Sequence, residues 1–184
     1  QYALTPKTLV GKNILITAGP TQESIDPVRY ITNASTGKMG YAIARSCLRR
    51  GANVMLITGP CQTSINDYKA FAPLCIIPVE SAADMCEATL QAFDKADISI
   101  LSAAVADFTP IIAASQKIKK QPGVFPAVFI IPRTAASCTE FLRDKMKTVH
   151  LNKICAAVTC RCEVQTCLPR SGRNLKSGSP NQSL

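Results

Sequence analysis

The sequence predicts an α/β fold with a mostly parallel sheet, and three observations carry that expectation. Short apolar runs at residues 14–16, 54–58, 75–79 and 98–103 lack the polar alternation of a half-exposed strand and suit strands buried on both faces. Two of them stop abruptly at Gly-Pro pairs, Gly19-Pro20 and Gly59-Pro60. Helical stretches separate the runs, and the order strand, helix, strand, strand, helix, strand argues for parallel pairing with both faces covered. The expected architecture is a Rossmann-like three-layer fold, with ligands beyond the carboxyl ends of the strands.

Taken in order, residues 1–8 read as a tether containing Pro6, and residues 13–17 as the first buried strand. A polar insertion then separates Gly19 from Gly37 and Gly40. It carries Asp26-Pro27, Arg29 and Asn33, groups able to hydrogen-bond a charged ligand above the strand ends. Ser35 and Thr36 lead into a helix over residues 38–50, with Met39, Ile43 and Cys47 on one stripe, Ala42 and Ala44 keeping it close to the sheet, and Gly51 as its stop. Small residues and free amides at that helix start attract anions such as phosphate or carboxylate. Residues 61–73 read as a loop before the third strand. Ser81 with Asp84 three residues on is a variant of the capping box and opens a helix over 82–93. The fourth strand delivers Ala103, Ala104 and Asp107 at its carboxyl end. Beyond Gln121, residues 124–131 suit one more strand, confined to an edge by Pro126, and residues 139–147 a helix. From about residue 155 no period is visible, and Ser, Gly, Pro and Asn accumulate as in a disordered tail.

With 184 residues, 47% of them hydrophobic, the chain suffices for one sizeable core and is short for two domains. It lacks an apolar run of about 18–20 residues and a basic-then-apolar opening, so the expectation is a soluble, cytoplasmic protein without a membrane partner. The net charge of +9 would suggest nucleic acid if it were spread over the fold. Residues 1–115 hold nine Lys/Arg against nine Asp/Glu, however, and the remaining twelve basic residues face only Glu140, Asp144 and Glu163 in the last third. The excess belongs to the tail, and a nucleic-acid function is not expected. Nine cysteines, an odd number, argue against a disulfide framework. His150, Cys155, Cys160, Cys162 and Cys167 invite a zinc site, but no CxxC pair supports it and no metal ligand is assigned.

The ordered motifs ITAGPT, IDPVRYITN, STGKMGYA, AAVADF and QKIKK, spread over about residues 9–120, closely resemble the synthetase half of the bacterial coenzyme A biosynthesis flavoprotein family, phosphopantothenate-cysteine ligase. The resemblance implies a two-step reaction. The carboxylate of 4′-phosphopantothenate attacks the α-phosphate of CTP to give an acyl-cytidylate and pyrophosphate, and the cysteine amine then displaces CMP. It implies Asn33 for the acyl intermediate, Arg29 for the substrate anion and Lys117, first lysine of a mobile lid, for the triphosphate. Gly19, Leu101, Ser102, Ala103, Ala104 and Asp107 would serve the nucleotide, with Mg2+ held mainly by the phosphates. A homodimer and a fused decarboxylase domain are implied partners.

Each residue also has a plainer reading: Asn33 as a turn residue, Arg29 as a surface ion-pair partner, the alanines as core filler, Asp107 as a helix cap or solvated charge, and the lysines as a solvated surface. After residue 120 the family's later motifs are not readable. The organisation expected is therefore a tether at 1–8, a ligase core and lid at 9–120, and a divergent tail at 121–184, disordered or out of frame, leaving the sheet incomplete at its C-terminal end. Two other functions fit parts of the sequence. A non-catalytic nucleotide-binding or dimerisation remnant fits the tail. An NAD(P)-dependent oxidoreductase fits the fold class but lacks the compact glycine fingerprint and an acidic residue ending the second strand.

Overall fold

The computed structural model describes residues 4–69 and 72–119, together with the backbone of two later strands at 130–132 and 154–157. β1 (Asn13–Ala18) lies at the centre of a five-stranded sheet. β4 (Asn53–Thr58) and then β5 (Leu74–Pro78) follow on one side, β6 (Ile98–Leu101) and then β9 (Ile154–Ala157) on the other, all parallel. Side chains of successive strand residues point to opposite faces, so each central strand feeds two cores. Ile14, Ile16, Val54 and Leu56 face the helix α1 (Lys38–Arg49), where Ala44 and Leu48 meet them. Leu15 and Ile57 face α2 (Ala82–Phe93) and pack with Met85, Ala92 and Phe93. Fully burying one such side chain contributes about 1.5–3 kcal/mol, which makes these two apolar layers the main source of cohesion.

The helix ends form as their sequence signals predict. Ser81 Oγ accepts from the Asp84 amide at 3.1 Å while the Asp84 carboxylate accepts from the Ser81 amide at 2.9 Å, completing the capping box. Gly51, at φ +88°, follows α1, and the bonds Gly51 N to Leu48 O and Ala52 N to Cys47 O form a Schellman closure. The buried stripe of α1 differs from the one expected. It comprises Gly40, Tyr41, Ala44, Cys47 and Leu48, whereas Met39 is 50% exposed and Ala42 is also exposed. The helix is turned toward its small and aromatic positions because Gly40 must lie against the sheet.

The polar insertion folds into an antiparallel hairpin, β2 (Gln22–Asp26) and β3 (Arg29–Thr32), joined by Pro27 and Val28. A bulge between Ser24 and Asp26 shifts the register, so Glu23 and Asp26, three residues apart, are both buried. The loop expected at 61–73 contains one 3-10 turn over Asn66–Tyr68. β7 (Phe108–Pro110) pairs antiparallel with β8 (Ile130–Pro132), which includes residues 130 and 131, the part of the expected 124–131 strand that falls within the described residues. The fifth sheet strand, β9, comes from the stretch in which the sequence shows no period. The expected helix at 139–147 and the tail cysteines other than Cys155 lie outside the described residues. No helix among the described residues is long and apolar enough to cross a membrane.

Candidate functional site

The carboxyl ends of β1, β4 and β6 bring three loops together. Gly19 adopts φ +76° and Gly37 φ +71°, conformations that glycine alone takes without strain. A Cβ on Gly37 would lie 3.3 Å from the Gly19 Cα, and one on Gly59 only 1.6 Å from the Pro20 carbonyl oxygen, so these glycines let backbone cross backbone. Gly40 is also tight: its Cβ would come within 2.5 Å of the Ala18 Cβ and 2.8 Å of Ser102 Oγ. The first turn of α1 is thereby pressed onto the end of β1. Gly37 caps the helix without a side-chain hydrogen bond, and no acidic residue occupies the first turn. Its leading amides are thus open to an anion, and the helix dipole favours one.

Beyond β6 the chain continues beside β1, held by two threonine side chains. Thr17 Oγ1 accepts from the amides of Ser102 at 3.2 Å and Ala103 at 3.3 Å, and Ser102 Oγ donates to the Thr17 carbonyl at 2.6 Å. Thr21 Oγ1 accepts from the Ala106 amide at 2.9 Å, while Ala104 N donates to Gly19 O at 2.9 Å. Leu101 packs partly into the α2-side core. Gly19, Leu101, Ser102, Ala103 and Ala104 therefore belong to one backbone unit, and Asp107, at its end, is exposed. Tyr41 supports the neighbouring turn, with its hydroxyl 3.1 Å from Thr58 Oγ1, and burial pushes its phenol up.

Asn33 and Asp107 share this end of the molecule. Asn33 Nδ2 donates to the Val105 carbonyl at 2.9 Å, two residues before Asp107. That bond orients the amide, and among the described residues its second N–H has no partner. Arg29 is more engaged than a bare anion receptor. Its Nε donates to Asp26 Oδ2 at 2.9 Å, and its Nη2 donates both to that oxygen and to the Ile118 carbonyl, the latter at 2.9 Å. Nη1 has no partner among the described residues, and the side chain is 44% exposed. Lys117 is exposed, one residue from Ile118, so the lysine-bearing segment is tied to the hairpin that carries Arg29 and leads to Asn33.

Sequence reading treated Asp26 as a ligand-facing group and missed Glu23, Thr17 and Thr21. Asp26 is instead 3% exposed and turned inward. Arg29 above all, with amides of Val28 and Ile118, holds its carboxyl well below the usual carboxylate range. Glu23 Oε1 accepts from the Ala82 amide at 2.9 Å, so the hairpin also caps α2. The inward carboxylates depend on the bulge and the threonine acceptors on strand register, and neither leaves a sequence signature. A cavity of about 540 Å³ lies at the other end of the sheet, lined by Asn13, Leu15, Met55, Leu74, Cys75 and Ala96 among others. Its lining is largely apolar and far from these loops, where open parallel sheets do not place their ligands.

Fold and loop geometry together define a Rossmann-like α/β domain whose candidate site loops gather at the carboxyl edge of a parallel sheet. The family model described as the DNA/pantothenate metabolism flavoprotein C-terminal domain matches residues 9–157, past the break in motifs at Gln121, and the chain belongs to that family. It is 55% identical over 119 residues to the coenzyme A biosynthesis bifunctional protein CoaBC of Bacillus subtilis (strain 168), covering 65% of this chain and 28% of that protein. To the protein of the same name from Vibrio parahaemolyticus serotype O3:K6 (strain RIMD 2210633) it is 40% identical over 176 residues, covering 82% of this chain and 42% of that one. The crystal structure of a CoaBC C-terminal domain superimposes with a TM-score of 0.62 at 35% identity, over 81% of this chain and 64% of that chain. The chain thus spans less than half the length of these two curated relatives, both bifunctional by name.

Proposed function

We propose that this chain carries the ligase step of coenzyme A biosynthesis, joining 4′-phosphopantothenate to cysteine through an acyl-cytidylate made with CTP. The observation that supports this best is the convergence of Asn33, the open start of α1, the 102–107 loop and Lys117 at one edge of the sheet. In this reading the triphosphate lies along the 102–107 loop, with Lys117 and Lys119 near it. Their charge offsets the negative charge that grows on pyrophosphate as the substrate carboxylate attacks the α-phosphorus. The free N–H of Asn33 then donates to the oxygen that becomes anionic when the cysteine amine adds to the acyl carbon, before CMP departs. Nη1 of Arg29 is available for a substrate phosphate or carboxylate.

Among the described residues no group of three His, Cys, Asp or Glu side chains could hold a metal ion. A Mg2+ carried mainly by the nucleotide phosphates would neutralise phosphate charge, and Asp107, an exposed carboxylate on the 102–107 loop, would be available to it. A homodimer, a decarboxylase partner and a cytoplasmic setting belong to the same proposal.

Pyrophosphate release measured with CTP, 4′-phosphopantothenate and cysteine tests it, alongside calorimetric titration with CTP and with NAD. Release that requires both CTP and 4′-phosphopantothenate is expected, and Asn33→Ala should slow product formation by roughly 10²–10³-fold. NAD binding without CTP binding would transfer the site to an oxidoreductase, and binding of CTP without turnover would leave a non-catalytic module.

A further inference from the structure

The hairpin and the lysine-bearing segment meet at one buried carboxylate. Asp26 Oδ1 accepts from the Val28 amide at 2.9 Å, which closes the hairpin turn. Its Oδ2 accepts from Arg29 and from the Ile118 amide, the latter at 3.1 Å. Arg29 in turn donates to the Ile118 carbonyl at 2.9 Å. Both main-chain groups of Ile118 are therefore held by a single ion pair 92 residues earlier in sequence for the carboxylate and 89 for the guanidinium. Ile118 lies between Lys117 and Lys119, and its own side chain is only partly buried. The ion pair grips the backbone while the two lysine side chains remain exposed.

We propose that Asp26 is a positioning residue: with Arg29 it clasps the backbone of Ile118 and thereby fixes where Lys117 and Lys119 stand over the site. Asp26 does not touch substrate. It sets Arg29 and the lysines by the same carboxylate, so the group that receives the substrate anion and the groups that receive the triphosphate move together. Charge-assisted Arg–carboxylate hydrogen bonds are strong and geometrically specific, so the pair defines one position for the segment it holds. The clasp itself is independent of the reaction; its effect on catalysis rests on the ligase reading above.

Trypsin reads the clasp directly, because Lys117 and Lys119 are exposed lysines whose cleavage requires the segment to leave its fixed path. In the full chain, Asp26→Asn and Arg29→Lys should each raise the rate of cleavage after Lys117 and Lys119 by roughly 10-fold, with cleavage after the exposed Lys95 unchanged as the internal measure of folding. Ile118→Pro removes the amide donor without altering the hairpin and should raise cleavage after Lys119, guarding against a hairpin variant that simply misfolds. In the pyrophosphate assay Asp26→Asn should raise KM for CTP more than it lowers kcat. Unchanged cleavage in both Asp26→Asn and Ile118→Pro overturns the clasp. Faster cleavage in the variants, with no pyrophosphate released by the parent chain either, keeps the clasp and removes the ligase reading instead.

Discussion

At Asp26 the chemistry of a single group decides how far the hairpin and the lysine segment stay joined. Its carboxyl is held below the ordinary carboxylate range chiefly by Arg29, against an opposing push from burial. A depressed carboxylate contributes stability that is fully present above its unfolded-state pKa and lost only as pH falls through the folded-state value. Trypsin is inactive in acid, so hydrogen exchange at the Ile118 amide is the suitable probe. Corrected for the intrinsic pH dependence of exchange, protection should be level from about pH 8 to about pH 5 and decline only below the usual Asp range. Loss of protection already on entering the usual Asp range, at about pH 4, would mean that Asp26 titrates as an ordinary surface acid. The motifs around Asn33 and Lys117 singled those two residues out in the sequence, and the structure places Asn33 beside the 102–107 loop and Lys117 next to the Ile118 that the hairpin holds. The inward direction of Asp26 was not, because a β-strand with a bulge no longer obeys the period-two rule by which facing is read.

At the scale of elements, the helices were the most legible. The Ser81–Asp84 box and the Gly51 closure are local, so their residues announce themselves within a few positions. The hairpin was hidden, since its buried side chains are Glu23 and Asp26 where a strand would ordinarily show Val or Ile. The stripe of α1 departs from expectation for a related reason: Gly40 and Ala44 contribute close approach, whereas Met39 and Ile43 contribute hydrophobicity, and only hydrophobicity shows as a helical period. Gly40→Ala tests this directly. The added methyl would meet the Ala18 Cβ and Ser102 Oγ, both backed by the central strands, so the helix start must shift outward. Destabilisation of about 1–3 kcal/mol is expected from overpacking, despite the better helix propensity of alanine. Chemical denaturation measures it, and a Gly40→Ala chain as stable as the parent would show that α1 has room to move. A weakened response to CTP at unchanged fold would place that same contact under the nucleotide.

For the whole molecule, the central question is how much of the sheet depends on the chain beyond residue 120. β1 sits between β4 and β6, buried on both faces, and would survive loss of either edge. β6 is different. It pairs with β1 on one side and with β9 on the other, through Ile98–Ile154, Ser99–Cys155, Ile100–Ala156 and Leu101–Ala157. It also launches the 102–107 loop, so a change in β6 reaches the site. No periodic signal marks β9 because four residues, Ile-Cys-Ala-Ala, are too few to display a period, and parallel pairing over 56 positions leaves no local trace. Two shortened chains separate the possibilities: one ending at residue 157, which keeps β8 and β9, and one ending at residue 119, which keeps neither. Removing β9 exposes the outer backbone groups of β6. At about 0.5–1.5 kcal/mol net for each ladder hydrogen bond, the shorter chain should lose roughly 2–5 kcal/mol. For a domain of this size that lowers Tm by on the order of 10 °C relative to the chain ending at 157. Equal melting of the two chains would mean that β6 is stable as an edge, and that the first 119 residues hold both the fold and the candidate site without help from the rest.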